Sequence, residues 1–589
     1  MLSKFQSKLP ASHQPSALLE PQMPQPENPQ LPTLTCLGNE VIAMIADLLH
    51  DTSPHTISSL ALVCSNYYSI ARYTQNRELL LENVKGNPHP SSTTRLAYIE
   101  KTATFGAVRR LEVRNDKDEI FLPRLCRLIP KMTGLTDVVW SKTEVPERIV
   151  ELLRERPSIH LHAEVINHSP ARDPEIIDRL QANENLVSLN LEIIYRVSKE
   201  GLRWSRPFKH VVLSCPNLRK LRLDICRPQP HYGLICSTSS NEDRAGGFGF
   251  VNGERLPALE ELDIINYPFG IYEDYTYETS YWADNFDWSR LLHLATNNTE
   301  LILKVAPHLT SLKEFHSSYA SGLTMIFLNQ VPSALESIAI SRPEGVNGSK
   351  SLLEAVLVHR QSLKRLTIHQ KEDYYGRWEK LAIDIETLTK IRDGCPHIEE
   401  LGLDLYRDDG WPYKALRILA SFPRLCHLKL YFQLGIADED NPTEPYVTFS
   451  AAGKLFRYLQ QQSIDKLIKI QTLEIKSGFP PSPFYNDKRI NPLWHNDNSS
   501  NFICTLSDRH DAVGKEIFSV RCTNLNREQN EYLRKVERGE EDSDCPYSNV
   551  EAFRVARDGP TPYWQSGRTR NWRASPGYIK PWMRGCFWD

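Results

Sequence analysis

The chain has 589 residues, too many for one compact core, so several units or one elongated repeat domain are expected. Its 70 Lys and Arg balance 73 Asp and Glu, for a net charge of −3. That balance gives no general drive toward nucleic acid or a membrane surface. No apolar run approaches the length of a transmembrane helix, and the N-terminus lacks a signal peptide's apolar core and cleavage site. The 12 cysteines form no CxxC pair, and most sit inside apolar patterns. Buried, reduced thiols in a cytoplasmic or nuclear protein are expected.

Residues 1–33 are rich in Pro, Gln and Ser and are expected to be a disordered tail. Residues 34–75 read as a helical hairpin. Val41, Ile42, Ile45, Leu48 and Leu49 have the spacing of one helical face. Asn39 suits the N-cap, and Glu40 puts a carboxylate at the positive end of the helix dipole. A second helix is expected with Ser53 as N-cap and Pro54 at its first position. Ile57, Leu60, Ala61, Cys64 and Tyr68 would line it, with Leu62 and Val63 widening the apolar surface. So short a segment rarely folds alone, so this pair of helices is expected to dock on the rest of the chain or on a partner.

The hairpin resembles the F-box. The residues that carry the likeness are Leu37, Gly38, Glu40, Val41, Ile42 and Ile45, then Leu60, Val63, Cys64 and Tyr67. Gly38 stands where the family has proline, and Ser65 where a basic residue is common. The resemblance implies docking to a Skp-type adaptor, and through it to a cullin, in an SCF ubiquitin ligase. The adaptor-binding residues it implies are Leu37, Val41, Ile42, Ile45, Leu49, Leu60, Val63, Cys64 and Tyr67. Some of their surface should then face outward. A hairpin that merely caps the next domain would have it sealed.

Residues 76–104 read as a polar linker, and from 105 to 476 a repeat runs through the chain. Its unit is apolar-x-x-apolar-x-apolar. It appears as Val108/Leu111/Val113, Leu135/Val138/Trp140, Leu186/Leu189/Leu191, Leu218/Leu221/Leu223 and Leu259/Leu262/Ile264. It continues as Leu335/Ile338/Ile340, Leu363/Leu366/Ile368, Ile398/Leu401/Leu403, Leu425/Leu428/Leu430 and Ile470/Leu473/Ile475. Ile159/Leu161 and Leu309/Leu312 look like degenerate members. Starts at 108 and 135, 335 and 363, and 398 and 425 lie 27, 28 and 27 residues apart. Prolines at 216, 257, 396 and 423 precede the motif, where they would end a helix and turn the chain into a strand.

This pattern resembles the leucine-rich repeat, as found in F-box/leucine-rich-repeat proteins. The expected fold is α/β: an N-terminal helical F-box-like hairpin, then a curved leucine-rich-repeat solenoid, then an irregular C-terminal cap. Each repeat would be a strand plus a helix that buries its apolar stripe only by stacking on its neighbours. Residues 477–589 lose the repeat and are expected to form the Trp-rich cap, with Trp564, Trp572, Trp582 and Trp588.

No enzyme motif stands out, the 18 histidines are dispersed, and no metal or cofactor is expected. The glycines of AGGFGF at 245–250 read as a flexible loop. What the repeat offers is a surface. Strand side chains alternate, so the residues between the leucines share the concave face. Arg222, Arg365 and Lys429 fall there, in a mosaic of both signs that includes Glu261, Asp263, His369, Asp404 and Tyr431. Insertions after the strands mix Tyr and Trp with Asp and Glu. Tyr272, Tyr275, Trp282, Trp378 and Trp411 are the anchors expected in an acidic-aromatic rim for a protein target. The expected function is substrate recognition for the ligase. The alternative is a leucine-rich-repeat scaffold outside any ligase.

Overall fold

The computed structural model describes residues 37–560, apart from 53, 83–91, 115–120, 142–143, 168–173, 195–206, 227–246, 266, 268, 270–274, 342–344, 371, 373–382, 408–409, 436–440, 464–468, 479–491, 511–515, 541–544 and 548–549. The chain divides into two units, Met1–Arg77 and Glu78–Asp589. The Pro/Gln-rich tail and the four tryptophans from 564 onward lie outside the described residues.

Among the described residues the first unit has three helices: α1 (Asn39–Thr52), α2 (Pro54–Leu60) and α3 (Ser65–Gln75). The expected second helix is therefore two. After Leu60 the chain makes tight i to i+3 turns, Ser59 O accepting from Leu62 N and Leu60 O from Val63 N. Cys64 is then extended (φ −162°, ψ 169°). The break resets the helical phase, so Tyr67, Ala71 and Thr74 are buried while Tyr68 is exposed. Ile42, Ala46, Ile57, Tyr67 and Ala71 form the small core. Asn39 is the first helical residue and not a free cap. Gly38 O accepts the first intrahelical bond from Ile42 N (3.1 Å), and the Asn39 side chain accepts from Asn66 Nδ2 of α3 (2.6 Å).

The second unit is built on one open sheet of 16 strands in strict chain order. They are β1 (Glu78–Glu82), β2 (Arg110–Arg114), β3 (Asp137–Ser141), β4 (His160–Asn167), β5 (Leu186–Ile194), β6 (Lys220–Cys226), β7 (Glu261–Ile264) and β8 (His293–Thr296). Then follow β9 (Glu314–Ser317), β10 (Ser337–Ser341), β11 (Arg365–His369), β12 (Glu400–Asp404), β13 (His427–Phe432), β14 (Thr472–Ser477), β15 (Ser500–His510) and β16 (Glu516–Cys522). β1 through β14 are parallel, and helices or turns join successive strands. β15 and β16 close the series antiparallel.

Register stacks the motif into two apolar columns. Leu221, Leu262, Leu294, Phe315, Ile338, Leu366, Leu401, Leu428 and Leu473 are successive neighbours in the first. Ile340, Ile368, Leu403, Leu430 and Ile475 are neighbours in the second. The leading apolar residue of all ten motifs is also buried, from Val108 to Ile470. Side chains alternate across the pleat, so every second strand residue enters the core and the one between faces out. At the helix ends the residue before proline closes the last turn: Cys395 N donates to Ile391 O (2.9 Å) and Phe422 N to Leu419 O (3.3 Å).

Three strands depart from the expected units. The expected linker at 76–104 holds β1, which pairs with β2, and the helix Ser92–Thr102. The unit of β8 has Leu291, Leu294 and Thr296, and that of β9 has Leu312, Phe315 and Ser317, all buried. The Leu309/Leu312 pair is thus three residues out of phase with the true unit.

Side chains close both edges of the sheet. Arg95 Nη1 donates to Leu80 O on β1 (2.5 Å). On β16, Asn530 accepts from Cys522 N (2.7 Å) and donates to Cys522 O (3.0 Å), as a neighbouring strand would. Asn530 belongs to the helix Arg527–Glu537, fixed at its start by a reciprocal Asn526–Gln529 capping box. Edge strands left bare invite pairing with other chains, and these bonds oppose it.

Candidate functional site

Two surfaces carry the residues singled out from the sequence. The first is the outer side of the helical unit. α1 is apolar on two adjoining faces. Ile42 (1% exposed) and Ala46 point into the core, while Val41, Met44, Ile45 and Leu48 follow i, i+3, i+4, i+7 spacing on the other face. Met44 is 71% exposed and Leu48 63%, and in the turn before α3 Leu62 is 88% and Val63 56% exposed. Leu37 and Val41 are also exposed, and Ile45, Leu49, Leu60 and Cys64 are half-buried. Ile42 and Tyr67 do not belong to this surface: both are core residues that hold α1 and α3 together. Met44, Leu48 and Leu62 were missed as site residues. The i, i+3, i+4, i+7 series from Val41 was the signal that could have placed Met44 and Leu48 there.

Charge on this unit is sparse and partly paired, as in Asp47–Arg77 (2.7 Å). A cluster of apolar side chains with little charge is what a protein partner covers, since each large aliphatic group removed from water is worth about 1.5–3 kcal/mol.

The second surface is the polar face of the sheet. Its charges are largely occupied with each other across neighbouring strands. Arg222 Nε lies 3.5 Å from Asp263, Arg365 pairs with Glu314, and Lys429 Nζ lies 2.8 Å from Glu474. These cations are part of cross-strand pairs before any target arrives. At β3 and β4, Asp137 meets His162 Nε2 (3.1 Å) and His160 Nδ1 (3.5 Å). Burial pulls the His162 pKa down, with the Asp137 hydrogen bond opposing it.

At β11 to β13 the polar face goes under cover. His369 Nδ1 lies 2.8 Å from Asp404 Oδ1, both side chains nearly buried, and the Tyr431 ring stacks on His369 at 3.8 Å. Burial raises the Asp404 pKa, against the His369 bond. Beyond the strands, Gly435 N donates to Glu372 (2.9 Å). The buried Arg407 donates to the carbonyls of Gln433 and Pro445, and burial lowers its pKa to about 10. These bonds tie together the segments that follow β11, β12 and β13.

One expected anchor of the aromatic rim, Trp282, is turned inward. Trp282 is 0% exposed, in ring contact with Phe286 (5.0 Å), Tyr267 (5.3 Å) and Phe250 (5.5 Å). Phe248 and Phe250 come from the glycine-rich insertion, whose end is packed and not loose. Gly247 has φ +78°, and a Cβ there would sit 2.1 Å from Glu278 Oε2. Glu278 accepts from Tyr267 OH (2.6 Å) and Phe248 N (3.1 Å), and burial raises its pKa. Thus Phe248, Phe250, Tyr267 and Trp282 turn inward as part of the core of the sheet unit. Trp411 is half-buried, edge-on to Phe432 (5.5 Å) and beside the Arg407 guanidinium (6.0 Å). Tyr272 and Trp378 lie outside the described residues, and Tyr275 opens the helix Tyr275–Asn285.

Among the described residues no group of three His, Cys, Asp or Glu is placed to hold a metal, and no helix is long and apolar enough to cross a membrane. No family model matches the chain, and no curated protein does.

Proposed function

We propose that the chain is a substrate-recognition adaptor of a cullin–RING (SCF) ubiquitin ligase. Its N-terminal helices act as an F-box that binds a Skp-type adaptor, and its sheet unit is a leucine-rich-repeat solenoid that holds a protein target. The observation that carries this reading is the two-faced apolar character of α1. One face builds the core of the unit, and on the other Val41, Met44 and Leu48, with Leu62 and Val63, are exposed. The sequential parallel sheet with buried LxxLxL columns supports the repeat half of the reading. In this reading the chain supplies no catalytic group, and ubiquitin transfer belongs to a separate subunit.

The test is co-purification of the chain with a Skp-type adaptor. A stable complex is expected, weakened more than about tenfold by Met44→Asp with Leu48→Asp, since burying one charge costs more than the lost apolar area. Thermal stability should be unchanged, because both residues are exposed. A chain that binds no such adaptor at micromolar concentration returns the protein to the scaffold alternative, for which the departures at Gly38 and Ser65 already speak.

A further inference from the structure

The segments that leave β11, β12 and β13 are joined by one knot of polar groups. Asp404 lies opposite Tyr431 in register, and His369 follows Ile368, which lies opposite Leu403. The rings of His369 and Tyr431 stack face to face (3.8 Å, 17°) although β12 runs between their strands, and Asp404 is buried with them. Asp404 gives one oxygen to each of two partners: Oδ1 faces His369 Nδ1 (2.8 Å), and Oδ2 accepts from Gln370 N (2.6 Å), the first residue past β11. Leu405 N donates to Tyr431 O (3.0 Å), and Gly435 N donates to Glu372 (2.9 Å). The buried Arg407 donates to the carbonyls of Gln433 and Pro445.

The charges of this knot do not balance with a neutral imidazole. Among the described residues it holds two carboxylates, Asp404 and Glu372, and one guanidinium, Arg407. Burial pushes the Tyr406 and Tyr431 phenols up, so both stay neutral. Lys429 and Lys476 share Glu474 (2.8 and 3.0 Å) with side chains 22–35% exposed, where water screens them, and Glu400 on β12 is exposed. A buried excess charge is costly. One more proton on the His369–Asp404 pair cancels it. An imidazolium keeps the same bond to Asp404 and strengthens it with charge.

We propose that His369 and Asp404 form a proton-operated clasp. Taking up one proton closes the segments that follow β11, β12 and β13 on one another, and losing it loosens them. The closed form then binds more protons than the open one. Its contribution is complete at the acid end and fades as pH rises through the value at which the closed pair gives up its proton. Burial raises the Asp404 pKa, in the same sense. Elsewhere the buried His359 is depressed and works in the opposite sense, so the clasp tightens in acid while the rest of the unit loosens. The proposal rests on this fold and not on the ligase reading, so a failed adaptor assay leaves it intact.

The test is hydrogen–deuterium exchange of the full chain, read by mass spectrometry from pH 8 to 5 and corrected for the intrinsic pH dependence of amide exchange. The reporters are peptides covering Gln370 and Gly435, whose amides donate to Asp404 and Glu372. The helix Phe449–Gln462, which contains no histidine or acid, is the reference. Protection at both reporters should rise by up to about tenfold over the reference as pH falls, the change that one unit of differential proton binding supplies. His369→Gln keeps a donor for Asp404 but takes up no proton, and protection should become independent of pH. Asp404→Asn leaves one acceptor for two donors, and the reporters should exchange fast at every pH. Tyr431→Phe keeps the stack and should keep the pH response. Protection that is flat or falls with acid in the unaltered chain, or a rise that survives in His369→Gln, would overturn the proposal. Should the variants at the pair unfold, the unaltered chain and Tyr431→Phe still decide, by whether the response is confined to the two reporters.

Discussion

The outer face of α1 and the polar face of the sheet are both solvent-facing, yet they are built on opposite terms. The helical face presents large exposed apolar groups, Met44, Leu48, Leu62 and Val63. The sheet presents charges, many already held in cross-strand pairs such as Lys429–Glu474 and Arg222–Asp263. An apolar group in water gains whenever any complementary surface covers it. A paired charge gains only from a partner that improves on the bond it has, because it must be desolvated again. The first surface therefore gains from any complementary apolar cover. The second can discriminate only by charge. That contrast can be broken from either side, beginning with the core beneath the sheet.

The largest effect is expected in the apolar columns. Leu428 is stacked between Leu401 and Leu473 and is 2% exposed. Leu428→Ala removes three carbon atoms from a packed row and is expected to cost about 2–5 kcal/mol. Urea unfolding with an unchanged slope would read that loss directly. A cost under 1 kcal/mol would mean the column relaxes freely and the sheet is not one packed solenoid.

Next is the sheet edge. Asn530→Ala strips β16 of the partner for both Cys522 N and Cys522 O, each at hydrogen-bond distance in a buried setting. The expected loss is about 1–3 kcal/mol. The variant should also self-associate, seen by light scattering, because the bare edge can pair with another chain. An unaltered monomer of unaltered stability would show that the edge is closed by something other than Asn530.

Acid should weaken the repeat unit before it weakens the apolar face. His359 is buried, with Nε2 2.9 Å from Leu328 O and Nδ1 accepting from Leu335 N (3.4 Å), an arrangement that needs the neutral ring. Burial depresses its pKa, as it does for His162 and His316. A histidine depressed in the folded state contributes stability in full above its unfolded value near 6.5. It loses that contribution as pH falls from there through the folded value. Asp404 and Glu278, raised by burial, run the other way and favour the folded state as they protonate. The melting temperature should fall between pH 7 and 5, and His359→Gln should flatten that fall from a lower starting point. An unchanged slope in the variant would take His359 out of the account.

The sequence made the columns legible for a simple reason. LxxLxL couples strand alternation to burial, and register then has one solution in which the leucines stack. β1, β8 and β9 were hidden because their units break the pattern. β1 has Asn76 where the leading apolar residue belongs, and β8 and β9 end in Thr296 and Ser317, small polar groups that are buried all the same. Trp282 was misread because composition cannot say which way a ring turns. Trp282 goes inward on account of Phe250, 32 residues earlier in the chain, a contact that no local pattern encodes. The helical unit was read as one helix too few, since the break at Cys64 that turns Tyr67 inward has no glycine or proline to announce it.

The smallest stability effect belongs to the most exposed apolar residue, and it is the sharpest test of the contrast. Leu62 sits in the turn between α2 and α3, with its side chain almost wholly in water. Leu62→Ser removes no packing inside the unit, so its cost should stay within about 0.5 kcal/mol. If the outer face is a docking surface, the same change should still lower affinity for whatever covers it, because there the leucine passes from water into a protein contact worth about 1.5–3 kcal/mol. Stability and binding then separate at one residue, which no core position in the columns can show. A Leu62→Ser chain that melts several degrees lower would place that leucine in the fold, and the outer face of the helices would lose its claim to be a surface held in reserve for a partner.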